Sequence, residues 1–210
     1  NTNSSYTFSE GNLIGANSGQ WLASVSTIGV SAGKWYWEAK YLSGNFGLGI
    51  GKIGTTATQT SNLSSANNGY VSKYSDGYEY LKNNTANYKV NNNNDSNYGS
   101  TPSANDIMMV AFDADNGTIW VGKQGTWFGS ATQSEIENGT TTNSMFSSIT
   151  IDDFFVPTGT LENGSLSFNF GSPPYSISSG NSDGKGYGNF EYAVPSGYYS
   201  INSKNLAEFG

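Results

Sequence analysis

Asp113, Asp115 and Asn116 precede Gly117 in the outline of a calcium-binding loop, which needs oxygen ligands at alternate positions and a closing bidentate Glu. Gly117 occupies the third ligand position and no Glu closes the loop. A tight turn is the better reading, and no metal ligand is expected. Asp152 and Asp153 are adjacent, and neighbours on a strand point to opposite faces, so the pair cannot flank one scissile bond. They read as the solvated end of a strand. Glu38 stands among Trp35, Tyr36 and Trp37, where a carboxylate must find donors or reach water. A structural hydrogen bond is expected there. The chain contains no His and no Cys, so the commonest general base, thiolate nucleophiles and thiolate metal sites are all missing. No catalytic residue and no cofactor site is expected.

Binding chemistry is better represented. Trp127 and Phe128 follow directly on a turn, and Tyr74, Tyr78 and Tyr80 surround Asp76 and Gly77. Aromatics beside turns offer a platform for a sugar ring or an anchor for a protein partner. Tyr74, Asp76, Tyr78, Tyr80, Trp127 and Phe128 are therefore the candidate binding residues. The polar stretch between Leu81 and Tyr98 stands beside them as a flexible flank.

Composition narrows the partner. The 210 residues carry a net charge of −7, and no cluster of Lys exists to neutralise a row of phosphates. Nucleic acid is not expected as a partner, and an anionic membrane is a poor one. No run of about 18 apolar residues is present to span a bilayer. Charged residues make up only 12% and aromatics 14%, so aromatic side chains must supply much of the burial. The abundant Gly, Ser, Thr and Asn weaken helix interiors and suit turns. An all-β class follows.

The elements that must position these residues are legible from alternation. Lys34 to Leu42 sets Trp35, Trp37, Ala39 and Tyr41 on one face and Tyr36, Glu38, Lys40 and Leu42 on the other. Phe46 to Lys52 places Phe46, Leu48 and Ile50 on one face and Gly47, Gly49 and Gly51 on the other, with Trp or Tyr side chains of a neighbouring strand expected over the glycines. Ile107 to Ala114 returns through Asp115, Asn116 and Gly117 as a hairpin. Leu166, Phe168 and Phe170 alternate before Pro173 and Pro174. Loops are expected at Thr55 to Asn68, Lys82 to Asn105 and Ser130 to Ser148, with a short helical turn at Gln133 to Glu137. The run Asn91 to Asn94 is expected to be mobile.

Gly33 to Glu38 followed by Phe46 to Gly51 resembles the opening strands of a SPRY domain. Asp106 to Asp113, Asp115 to Ile119 and Lys123 to Gly125 are similar to that family's central hairpin, and Phe155 to Pro157 with Leu166 to Gly171 to its closing strands. Gly69, Tyr70 and Tyr78 to Tyr80 resemble its middle segment, and Leu81 to Tyr98 departs from it as a polar insertion. The resemblance implies a bent two-sheet antiparallel β-sandwich of the concanavalin-like jelly-roll kind that binds partners through loops at one edge. It implies no enzyme, and the Glu-x-Asp-x-x-Glu string of jelly-roll glycosidases is absent. The expected organisation is an N-terminal extension at 1–20, the sandwich at 21–175 with the insertion at 81–98, and a C-terminal extension at 176–210. Pro195 to Tyr199 and Asn202 to Leu206 resemble the ending of SPRY-containing bacteriophage proteins. This implies a virion location and contacts with virion subunits or a host receptor. A secreted or cell-surface lectin-like domain that binds a surface glycan is the alternative. Homo-oligomerisation stays open.

Overall fold

A computed structural model describes residues 6–53 and 71–210. The strands are β1 (Tyr6–Ser9), β2 (Ile14–Asn17), β3 (Leu22–Val25), β4 (Lys34–Lys52), β5 (Gly77–Lys82), β6 (Asn87–Asn91) and β7 (Asn94–Asn97). They continue with β8 (Ile107–Asp113), β9 (Thr118–Lys123), β10 (Thr126–Trp127), β11 (Phe155–Asn169) and β12 (Tyr199–Ser200). Two short helices interrupt them, α1 (Gln133–Glu137) and α2 (Ser203–Phe209). Helix α1 falls where a helical turn was expected, held by a reciprocal capping box between Thr132 and Glu135. The fold is an all-β sandwich.

The two segments read as separate strands, Lys34 to Leu42 and Phe46 to Lys52, form one continuous strand of 19 residues. The first half of β4 pairs β8, from Lys34 opposite Asp113 to Lys40 opposite Ile107, and the second half pairs β5. On its other side β11 follows β4 through both halves, with a register shift between Glu162 and Ser165. Both strands bend there. Gly44 sits at positive φ, and a Cβ on it would lie 2.0 Å from the Asn163 carbonyl oxygen, so the two backbones can approach only without a side chain. Beyond the bend the ladder divides into two layers. One contains β2, β8, β9 and β10, and the other contains β3, β5, β6 and β7.

The core fills the space between the layers. Trp35, Trp37, Val110, Phe112, Ile119 and Val121 face Phe46, Leu48, Ile50, Tyr80, Phe155 and Leu161 in one cluster. The rings of Phe112 and Phe155 meet across it at 6.2 Å. Both indoles of β4 are fully buried, in the register expected from the alternation.

The opposite face of β4 is covered as well. Tyr36, Met109, Ala111 and Trp120 form a second cluster under Trp127, Ile136, Phe190 and Tyr198. The C-terminal segment thus lies as a third layer over one sheet, and β12 adds to β4 in parallel at Trp35 and Tyr36. The polar insertion is a hairpin of β6 and β7 that extends the other sheet, not a loop. Asn92 and Asn93 take φ of 51° and 58° in its two-residue turn, a conformation Asn tolerates better than most residues. The expected loop Thr55 to Asn68 and the pair Gly69 and Tyr70 lie outside the described residues.

Candidate functional site

The aromatic platform expected at one edge is not assembled on the surface. Tyr80 and Phe128 belong to the main core, their rings 5.2 Å apart, and the Tyr80 hydroxyl donates to the Asn87 side chain and the Ser100 carbonyl. Trp127 is buried in the second cluster, edge-on to Tyr36. Tyr78 is half-buried against Phe146 and Phe155, and Asp76 is half-buried. Among the six, Tyr74 alone is exposed. The physical reason is the scarcity of aliphatic residues, which draws aromatic rings into the core even beside turns.

The carboxylates singled out in the sequence are engaged with protein donors. Asp113 accepts from the backbone and side-chain nitrogens of Asn116 at 3.0 and 2.9 Å and pairs with Lys34 at 3.3 Å. Asp115 accepts from the Gly33 backbone N–H at 2.7 Å. Asp152 pairs with Lys52, whereas Asp153 accepts from the Phe154 N–H. Glu38 lies buried under the C-terminal layer. Its two oxygens accept from the Tyr36 hydroxyl, the Asn169 amide and the backbone N–H groups of Glu191 and Tyr192. Burial nevertheless outweighs these bonds and raises its pKa above the ordinary carboxylate range.

Another buried carboxylate was not singled out in the sequence. Glu79 on β5 lies over the glycine face of β4, where the strand reading expected indole or phenol rings. A Cβ on Gly47 would sit 3.1 Å from its carboxyl group. Its oxygens accept from the Ser72 backbone N–H and hydroxyl at 3.1 and 2.8 Å, and from the hydroxyls of Thr158 and Thr160 at 3.1 and 2.7 Å. Burial raises its pKa too. Four donors on two oxygens leave little capacity for a substrate.

Beside Glu79, on the same outer face, runs a groove of about 540 Å³. Its residues come from strand register. Asn45 on β4 opposes Glu162 on β11, Leu81 on β5 opposes Tyr88 on β6, and Val90 on β6 opposes Asp95 on β7. Cross-strand partners share a face, so these side chains stand together. Trp21, immediately before β3, lines the end near Glu162. Gly47, opposite Leu81, contributes no side chain, and the Glu79 carboxyl occupies the space over it beside the groove. Volumes of a few hundred Å³ are typical of small-ligand sites.

The groove is uncharged or acidic along its length. Its described lining includes Glu162 and Asp95 and no Lys. The two nearby lysines point to the opposite face, Lys82 toward the Gly44 carbonyl and Lys89 over the Tyr98 ring. No protein-family model matches this chain, and no curated protein matches it.

Proposed function

We propose that this chain is a non-enzymatic binding module of the SPRY kind, displayed on a bacteriophage particle, and that it holds its partner in the groove between Trp21 and the β6–β7 hairpin. The groove itself carries this reading: a preformed concavity on a rigid sheet, with an apolar floor at Leu81 and Val90 and a polar rim. The polar insertion expected to face the partner supplies one wall of it.

Binding is favoured over catalysis by the placement of its acids. Glu162 and Asp95 stand on β11 and β7, with β4, β5 and β6 between them. Four interstrand spacings separate them by roughly 19 Å across the strands, with a further offset along them because Asp95 lies in register with Thr158 and not Glu162, well beyond the ~5–9.5 Å that glycoside hydrolysis requires of its carboxylates. The virion setting rests on the resemblance of Pro195 to Tyr199 and Asn202 to Leu206 to phage proteins. Tyr198 and Asn205, inside the stretches that resemble phage proteins, are fully buried, and Asn202 caps α2. Those residues belong to the folded module.

Tyr88→Ala and Trp21→Ala should fold normally and reduce attachment of the purified chain to host cells or to particles lacking it, with Tyr74→Ala as the exposed aromatic control. Equal attachment by all three would place the interface elsewhere. An antibody to the chain should decorate purified particles in electron micrographs. Recovery solely from a secreted fraction would instead make the module a secreted adhesin.

A further inference from the structure

The proposed binding role leaves the chemistry of the occupant open, and the groove narrows it. We infer that the groove takes a neutral oligosaccharide laid across the strands, with Trp21 and Tyr88 contacting sugar rings and Asn45, Glu162 and Asp95 receiving or directing its hydroxyls. This inference rests on the groove being the binding site.

Asn45 is the strongest pointer. Its side chain is only 5% exposed and lines the groove, and its Nδ2 donates to a Glu162 oxygen at 2.9 Å. Because a carboxylate can only accept, that bond fixes which end of the amide faces Glu162. The other end, Oδ1, is buried without a hydrogen-bond partner. A buried acceptor left unpaired is costly, and although Oδ1 is sealed from the empty groove, a turn of the Asn45 side chain would bring it to a ligand hydroxyl.

Aromatic and charge placement agree. Trp21 and Tyr88 are both half-buried, so each presents part of its ring to the groove while the rest is fixed by packing. Such rings suit the apolar faces of a pyranose. Hydroxyls both donate and accept, matching a lining of carboxylates and amides that includes Asn83 and Asn84. Anionic ligands find no Lys there. A cationic peptide would be drawn by Glu162 and Asp95 but would leave the buried Asn45 acceptor and the surrounding amides to chance contacts. The width, about four interstrand spacings, fits a chain of several sugars better than one.

Trp21 also provides the readout. The other four tryptophans, Trp35, Trp37, Trp120 and Trp127, are buried, so quenching of intrinsic fluorescence by an external quencher reports mainly on Trp21. The purified full chain would be titrated with a panel of neutral gluco-, manno- and galacto-oligosaccharides, by this quenching and by calorimetry. At least one oligosaccharide is expected to protect Trp21 and to bind equally well in low and high salt, since no charge pairing is involved. Glu162→Gln and Tyr88→Ala should each weaken it about tenfold or more, with Tyr74→Ala unchanged. Circular dichroism of each variant separates a lost site from a lost fold. The inference is overturned if no oligosaccharide binds at millimolar concentration, or if binding survives both groove variants. It is equally overturned if an oligolysine peptide binds in a salt-sensitive manner and the sugars do not. Should the groove variants still abolish attachment to cells or particles, the binding role would stand and the glycan inference alone would fall.

Discussion

Glu79 and Glu38 show how a carboxylate can be both fully satisfied and strained by burial. Each has four donors, yet desolvation is the largest influence and lifts each above the ordinary value of 4.5. A group whose folded pKa is raised stabilises the fold below its unfolded value, and that contribution is lost as pH rises through the folded pKa. Stability should therefore increase as pH falls through these raised pKa values toward the ordinary 4.5. Asp183 works in the other direction but outside this window. Its burial is outweighed by hydrogen bonds from Ser200, Tyr187 and Asn205, so it stays below its ordinary 3.8 and costs stability only at more acid pH. Glu79→Gln keeps the shape and removes the charge, so thermal melts of this variant should show a visibly flatter rise than the parent as pH is lowered from neutral toward 4.5. An equal rise in both would remove Glu79 from the account. Trp37 makes a plainer case. It is fully buried, and Trp37→Ala should lower the free energy of unfolding by roughly 3–5 kcal/mol in urea titrations.

Among elements, β4 is the most demanding. On Gly49 a Cβ would lie 1.9 Å from the Tyr78 carbonyl oxygen, which belongs to a paired backbone and cannot swing aside. Gly49→Ala should cost at least the ~1–3 kcal/mol of ordinary overpacking, whereas Gly47→Ala meets only the end of the Glu79 side chain and should cost less. Denaturant midpoints of the two variants check the ranking. The C-terminal segment is equally integral. Deleting residues 176–210 would expose Tyr36 and Trp120 and strip Glu38 of two backbone donors. That loss is of the same order as the ~5–15 kcal/mol that stabilises an ordinary domain, so the truncated chain should bind a hydrophobic dye and lose its sharp melt. The alternation of Trp35 and Trp37 made the core face of β4 readable, because period two is a property of the strand itself. Burial of its other face was not readable. The cover comes from Phe190 and Tyr198, more than a hundred positions away, in a segment without periodicity. The Asn91–Asn94 run misled for a related reason: as composition it reads as disorder, yet Tyr88 and Val90 already shared one face ahead of it. The groove was least legible, since Trp21, Asn45, Tyr88 and Glu162 form no motif and meet only through register.

At the scale of the molecule, the absence of His and Cys and the commitment of Asp113 and Asp115 to protein donors predict a fold that requires no metal. A chelator should leave the melting temperature unchanged. A drop that calcium restores would show a site the donor pattern conceals. The same whole-molecule view places the heaviest demand on assembly. Glu38 and Asn169, opposite each other on β4 and β11, are 131 positions apart in the chain. Contacts of that separation slow folding, because the connecting chain must be closed before they form. On a ribosome adding ~5–20 residues per second, β4 therefore waits for many seconds after its own synthesis before β11 exists to flank it. During this interval the central strand of the finished sandwich is an open edge, available to β11 of another copy. Nascent chains halted before Phe155 should be cut readily by protease in the β4 region, and released full-length chains should resist. A faster pace of translation should therefore favour closure of the two sheets within one chain over closure between two.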